Sequence, residues 1–261
     1  MEIVGFLSDF GIKDNFAGVV KAIILKLNPS AQIIDISHQV SPHDILEAGF
    51  ILKSSFKFFP PKTIFLAIVD PGVGSKRKAL IVKTKNFYFV APDNGLLSLV
   101  LKEEPSLKII EITNDRYFLK PVSYTFHGRD IFAPVVGYLL QGIPIEKFGK
   151  ETKRYEVLSL APLNKKEDLL EGEIIYIDSF GNLVTNIEDK IFNDFVRNKK
   201  FKIQVKGFII DKISLNYSEA PARKPTALLD SFGYLEISLR EKNAAKVLGL
   251  KKGDKIKVLI N

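Results

Sequence analysis

Short apolar runs alternate with stretches of helical spacing through the first half of the chain. Ile3–Leu7 is an unbroken apolar run of strand length, and Asn15–Leu27 carries apolar residues at helical spacing until Asn28-Pro29 stops it. Gln32–Ile36 predicts a second strand. Ile45 to about Phe56 predicts a second helix, with Asp44 as its N-cap. Thr63–Val69, Ala79–Thr84, Phe87–Ala91 and Lys108–Ile112 follow as strands, and Leu96–Lys102 and Ile131–Gln141 as helices. This alternation predicts an α/β fold, with a mostly parallel sheet flanked by helices.

From about Gly149 to Glu171 the chain turns polar and charged, and a domain boundary is expected there. It divides an N-terminal α/β domain over residues 1–160 from a smaller domain over 170–261. The second pattern is mostly β: Glu173–Ile177, Leu183–Ile187, Phe201–Val205, Phe208–Leu215, Thr226–Leu229, Tyr234–Leu239 and Lys255–Ile260 are strand candidates. Only Lys242–Leu248 has helical spacing. Short strands so closely spaced predict a small β-barrel.

Composition narrows the function classes. The chain has 261 residues, 46% of them hydrophobic, enough for a sizeable core. No apolar run approaches the ~18 residues a membrane helix needs, and the start of the chain lacks a basic leader. A soluble, cytoplasmic protein is expected. With no cysteine, disulfides, thiolate metal sites and cysteine nucleophiles are excluded. The net charge of +8 comes mostly from scattered lysines, which predicts a solvated basic surface rather than a nucleic-acid site. Lysine richness without cysteine also hints at a thermophilic source.

Candidate chemistry gathers at predicted strand ends, where open α/β sheets bind ligands. Asp9 follows the first strand, His38 the second, Asp70 the third and Asp93-Asn94 a later one. A carboxylate accepts two hydrogen bonds at once and so can clasp a ribose diol, a role open to Asp9. Asp14, close behind, is either a helix cap or a second binding acid. Pro71, Gly72 and Gly74 force a turn after Asp70, and Arg77 stands close enough to fold back on it. Taken alone, the pair is better explained as an ordinary solvated acid and base in a loop between strands. His127, before Gly128 and a helix, can exchange a proton near pH 7 or simply cap the helix. His38 and His43 are taken as structural, and Arg129-Asp130 as a helix-start ion pair. No His pair or acidic cluster has metal-ligand spacing. The stretches Asp178-Ser-Phe-Gly-Asn-Leu183 and Asp230-Ser-Phe-Gly-Tyr-Leu235 share five of six positions. Asp, Ser and Gly are common turn residues, but neither turn requires its Phe.

The ordered set Ser8-Asp-Phe-Gly11, Val69-Asp-Pro-Gly-Val-Gly74 with Arg77, Ala91-Pro-Asp-Asn-Gly-Leu96, Phe126-His-Gly-Arg-Asp130 and Phe180-Gly-Asn-Leu-Val-Thr-Asn-Ile187 spans nearly the whole chain. It resembles the S-adenosyl-L-methionine (SAM) hydroxide adenosyltransferases, adenosine-forming SAM hydrolases related to the SAM-dependent fluorinase and chlorinase. The resemblance implies hydrolysis of SAM to adenosine and L-methionine without metal or other cofactor, in a homotrimer with active sites between subunits. It implies a catalytic Asp70, Arg77 and His127 acting on water, with Asp9 on the ribose hydroxyls. Phe180 and Asn182 would take adenine. Asp178 with Ser231 and Phe232 would hold the methionine end, Glu236 is a further substrate-binding candidate, and Asn243-Ala244 would add backbone contacts.

Two other readings stay open. A halogenase of the same family is disfavoured by Gly128, which offers no hydroxyl where the fluorinase has a Ser, and by the short link from Lys83 to Phe87. A non-catalytic adenosine- or SAM-binding module would keep the same motifs. Asp230 is often Asn in relatives, which leaves the methionine contacts less secure.

Overall fold

The computed structural model describes residues 2–219 and 223–260. The chain forms two compact units, Met1–Leu158 and Ser159–Asn261, each with its own core.

In the N-terminal unit the elements run β1 (Ile3–Ser8), α1 (Phe16–Leu27), β2 (Gln32–Ser37), α2 (Ile45–Ser55), β3 (Ile64–Ile68), β4 (Ala79–Thr84), β5 (Tyr88–Pro92), α3 (Ser98–Glu103), β6 (Ser106–Ile112), α4 (Ala133–Leu140) and β7 (Gly149–Glu151). The sheet order is β2-β1-β3-β5-β4-β6-β7. Strands β2, β1, β3 and β5 are mutually parallel, and β4 and β7 run against their neighbours. Successive side chains point to opposite faces of a strand, and both faces of β1 and β3 are covered. Val4, Phe6, Ile64, Leu66 and Ile68 pack with α1 and α4, while Leu7, Phe65 and Ala67 pack with α2 and α3. That is why these strands read as unbroken apolar runs rather than alternating ones. The fold class expected from the pattern is the one observed.

Parallel pairing also sets the register of the strand ends. Leu7 pairs with Ser37 and Ser8 with Ile68. The residues that follow, Asp9, His38 and Asp70, therefore emerge along one rim of the sheet.

In the C-terminal unit follow β8 (Asn164–Lys165), β9 (Leu169–Ile177), β10 (Leu183–Glu188), α5 (Asp189–Val196), β11 (Phe201–Val205), β12 (Phe208–Ile210), β13 (Pro225–Leu229), β14 (Tyr234–Leu239), α6 (Ala244–Leu248) and β15 (Lys255–Ile260). They form an antiparallel sheet ordered β12-β11-β15-β9-β10-β14-β13, with β8 beside β9. Its edge strands β12 and β13 come together, so the sheet is a nearly closed barrel. Its core includes Ile174, Leu183, Ile203, Val205, Ile237, Ile256 and Val258.

Several elements differ from expectation, among them the short strands β7 and β8 in the stretch expected to be only a boundary. The helix expected over 131–141 starts as a π-helical turn, Gly128–Phe132, before α4. The strand expected over 208–215 ends at Ile210. Helix α5 was not expected. Its Ile191, Phe192, Phe195 and Val196 have helical spacing, and Phe192, Phe195 and Val196 are buried. Eight residues are too few to hold a helix without such packing. Among the described residues no helix is long and apolar enough to cross a membrane.

On the face that carries α2, Phe65 is fully buried and stacks on Phe89 with ring centroids 5.1 Å apart. Phe65→Ala removes that contact and leaves a cavity, so unfolding free energy should drop by about 3–5 kcal/mol in urea denaturation followed by circular dichroism.

Candidate active site

The turn after β3 builds a charged centre. Asp70 O accepts Val73 N–H at 3.2 Å, which closes the turn and returns the chain toward β4. Arg77 then folds back on Asp70: its Nε donates to Oδ1 at 2.8 Å, and an Nη2 hydrogen bond reaches Oδ2. The same Nη2 lies 3.1 Å from His127 Nδ1, and Nη1 donates to Lys78 O at 3.1 Å. The guanidinium also lies over the Phe132 ring, 5.2 Å from its centroid. Only 6% of the Asp70 side chain and 10% of the Arg77 side chain is exposed. A pair so buried is tolerated only when its polar atoms are matched.

Arg77 also decides the state of His127. A guanidinium only donates, so Nδ1 must present a lone pair to it. The neutral imidazole then carries its proton on Nε2. Burial lowers the His127 pKa below 6.5, and the neighbouring Arg77 charge pushes it further the same way, against the opposing pull of Asp70 and Asp130. The ring is therefore neutral at pH 7.

Two close packings bring residues so far apart in sequence together. Gly74 has φ +77°, and a Cβ there would stand 2.2 Å from Tyr124 O, so only glycine lets the 70–77 turn lie against the segment leading to His127. Asp130 is fully buried, takes Arg129 Nε at 2.6 Å and accepts Ser123 N–H at 2.8 Å. That ties down the other side of the loop. The π turn that follows His127 is a form often met at functional sites.

Asp9, Asp70, His127 and Gly128 line one cavity of about 250 Å³ with Phe10, Phe16, His43 and Phe126. Asp9 Oδ2 accepts His43 N–H at 3.0 Å. His43, taken as structural from sequence, thus belongs to the cavity wall, and Phe10, Phe16 and Phe126 pack mutually edge-on or tilted beside it. Asp14 is exposed, lies outside this lining and does not cap α1, whose N-cap is Asn15. The Asp93-Asn94 pair serves as support: Asn94 Nδ2 donates to Val69 O at 2.8 Å, beside Asp70, and Asp93 Oδ1 accepts Glu156 N–H at 2.7 Å.

In the C-terminal unit the two Asp-Ser-Phe-Gly stretches form the same hairpin turn. Asp178 Oδ1 accepts the N–H groups of Phe180 and Asn182, and Asp230 Oδ1 those of Phe232 and Tyr234. Gly181 and Gly233 both have positive φ. Asp and Gly are thus explained by the turn, whereas Phe180, 76% exposed, and Phe232, 48% exposed, are not.

The two turns adjoin opposite ends of β10, one just before Leu183 and the other hydrogen-bonded through Gly233 O to Asp189 N. Asp178, Phe180 and Asn182 line a cavity of about 520 Å³ with Tyr217, Arg240 and Asn243. Ser231 and Phe232 are exposed outside that lining. Glu236 is buried behind Tyr217, whose hydroxyl is 3.4 Å from Oε2. Burial raises the Glu236 pKa to about 7 and that of Tyr217 above its usual range. Tyr217 had no sequence signal, since a lone Tyr in a polar loop looks like any other. Among the described residues no three His, Cys, Asp or Glu side chains are grouped as metal ligands.

The chain thus joins a mostly parallel α/β unit, with a charged Asp–Arg–His centre at its strand ends, to a small barrel. The chain matches the SAM hydroxide adenosyltransferase N-terminal domain over residues 4–149 and the C-terminal domain over 172–257, and it belongs to that family. It is 34% identical to proteins named (R)-S-adenosyl-L-methionine hydrolase from Thermus thermophilus and Methanocaldococcus jannaschii. Both alignments cover 99% of this chain, with 100% and 96% of the relative. Fluorinases are more distant, that of Nocardia brasiliensis being 26% identical over 99% of this chain and 97% of its own. An uncharacterized conserved protein from Thermotoga maritima has a similar crystal structure, with TM-score 0.91 and 40% identity over 98% of this chain and 99% of its own.

The Arg77 contact predicts a titration. Followed by the imidazole proton resonances, His127 should titrate below 6.5 in the wild type. In Arg77→Gln the midpoint should rise, because the repelling charge is gone and Asp70 is unmasked.

Proposed function

We propose that the protein hydrolyses S-adenosyl-L-methionine to adenosine and L-methionine. The observation that carries this is the Asp70–Arg77–His127 centre, whose Asp70 and His127 line the cavity that Asp9 shares while Arg77 holds both from behind. Water attacks the ribose 5′ carbon. As the O–C5′ bond forms, the C5′–S bond breaks, its electron pair returns to sulfur, and the sulfonium leaves as a neutral thioether. The leaving group needs no acid, so the task of the site is to hold and activate one water. No metal or other cofactor enters the reaction.

The hydrogen bonds divide the roles. His127 spends its one bare nitrogen on Arg77. Asp70, whose oxygens keep lone pairs beyond those given to Arg77, is then the group that orients the water and receives its proton. Arg77 stabilises hydroxide-like charge as it develops. Asp9 grips the ribose hydroxyls, and Asp14 adds charge near that rim. Phe180 and Asn182 receive adenine. Asp178 holds the methionine end, with Glu236 close by behind Tyr217. Ser231 and Phe232, which stand at the opposite end of β10 in the same chain, reach it from a neighbouring subunit. This assignment rests on family resemblance and on the exposure of Ser231 and Phe232. Following the names of the relatives from Thermus and Methanocaldococcus, the substrate is the (R)-sulfonium epimer.

We also propose a homotrimer with active sites between subunits. Ile12, Phe16 and Tyr124 support it, for these large apolar side chains stand exposed in the segments that border the cavity. A cytoplasmic location suits a small soluble substrate. Heat-tolerant growth of the source fits the cysteine-free, lysine-rich composition.

Incubation with each SAM epimer in ¹⁸O-water should give adenosine labelled at the 5′ oxygen, faster from the (R) form. Unlabelled adenosine, no adenosine, or a 5′-halo-5′-deoxyadenosine formed from added halide would refute the proposal. Asp70→Ala should lower turnover ~10²–10⁴-fold with nucleoside binding retained. His127→Asn, which keeps an acceptor for Arg77, should retain more activity than His127→Phe. Gly74→Ala should cost on the order of 10²-fold in turnover, because displacement of the Tyr124 segment misplaces His127.

A further inference from the structure

A second buried polar chain in the N-terminal unit is not used by this mechanism. Ser8, the last residue of β1, is fully buried, and its Oγ lies 2.7 Å from His38 Nδ1. His38 Nε2 lies 3.2 Å from Asp35 Oδ1 on β2, without the alignment of a hydrogen bond. The other Asp35 oxygen accepts Lys21 Nζ from α1 at 2.6 Å. A Ser–His–Asp series invites comparison with a hydrolytic triad. Burial rules that out: Ser8 has no exposed surface, and its oxygen already faces Phe10 N–H at 3.3 Å.

The hydrogen bonds nevertheless run in one direction. Burial lowers the His38 pKa below 6.5, despite the opposing effect of Asp35, so the ring is neutral. Its proton sits on Nε2, facing the Asp35 carboxylate, which leaves Nδ1 bare to accept the Ser8 hydroxyl. The Ser8 oxygen can then accept Phe10 N–H. The His38 carbonyl separately accepts Gly11 N–H at 2.6 Å, and its ring packs edge-on against Phe6 at 4.6 Å. One residue therefore grips the 8–11 segment at both ends, with Asp9 between the grips. The third hold on Asp9, from His43 N–H, comes from the same loop five residues on.

We infer that His38 is a positioning residue for Asp9: through Ser8 and Gly11 it fixes where that carboxylate stands in the cavity, and so how well a vicinal diol is gripped. This rests on the reading of Asp9 as the ribose-binding acid. With one Asp9 oxygen already engaged by His43, a small displacement removes the geometry needed to bind two hydroxyls together.

Calorimetric titration with adenosine and with 2′,3′-dideoxyadenosine tests it, using wild type, Asp9→Ala, Ser8→Ala, His38→Phe and His38→Asn. Wild type should prefer adenosine by about 10-fold or more, as expected for hydrogen bonds to a charged group. Folded Ser8→Ala and His38→Phe should lose most of that preference while their affinity for the dideoxynucleoside stays unchanged. His38→Asn, which restores an acceptor near Nδ1, should keep most of it. Should His38→Phe fail to fold, Ser8→Ala decides. A preference that Asp9→Ala abolishes but Ser8→Ala and His38→Phe retain overturns the role of His38 alone, as does a loss that falls equally on both nucleosides. A wild type without preference overturns the ribose role of Asp9 and this inference with it.

Discussion

The charge on Arg77 is the constraint around which the N-terminal unit is arranged. A guanidinium with so little exposed surface needs acceptors for its donors, and Asp70, His127 and the Lys78 carbonyl supply them. Because Arg77 can only donate, it keeps Asp70 as an acceptor and forces a bare Nδ1 on His127. One cation thereby sets the chemical state of both neighbours. The 70–77 turn and the 119–130 loop are shaped to let this happen, through Gly74 on one side and buried Asp130 on the other.

The rim of the parallel sheet carries more polar residues than the chemistry uses, and the hydrogen bonds sort them. Asp9, Asp70 and His127 face the cavity. Asn94 holds the carbonyl before Asp70, Asp93 holds Glu156, Asp130 holds Ser123, and Ser8 with His38 brackets Asp9. Strands that end together expose unpaired backbone groups close to one another. Short polar side chains satisfy those groups and steady the reactive ones in the same act.

The doubled turns of the C-terminal unit separate local from functional causes. An Asp that accepts two backbone N–H groups, followed three residues later by a glycine at positive φ, accounts for both turns. Exposed phenylalanines have no place in that account. Gly181 lies against the Asn243 side chain, and its carbonyl takes Ala245 N–H, so the first turn is fastened to the start of α6. The second has Asp189 beside Gly233 instead.

Much of this was legible in the chain, for reasons of range. Apolar runs showed β1, β3 and β5 because strands buried on both faces need no partner to be recognised. Asp44 capped α2 as its position foretold, accepting Glu47 N–H. Asp70 and Arg77 stood seven residues apart across an obligatory turn, so their meeting was local. Helix α5 escaped because it exists by packing, and the strand after Phe208 stopped short because its ladder with β11 ends at Ile210, beyond which only an isolated bridge joins Ile213 to Ala227. Within one chain, antiparallel pairing with β10 sends the two Asp-Ser-Phe-Gly stretches to opposite ends of a strand. By itself the sequence determined the class of fold, the turn that returns Arg77 to Asp70 and the shape of both hairpins, since each depends on neighbours in the chain. Only the tertiary structure decided that His127, fifty residues from Arg77, would surrender its Nδ1 lone pair to that guanidinium. It also decided that His38 would reach back to Ser8 and His43 to Asp9. Those contacts depend on strand register and loop approach, which bring distant residues together through packing that no local pattern records.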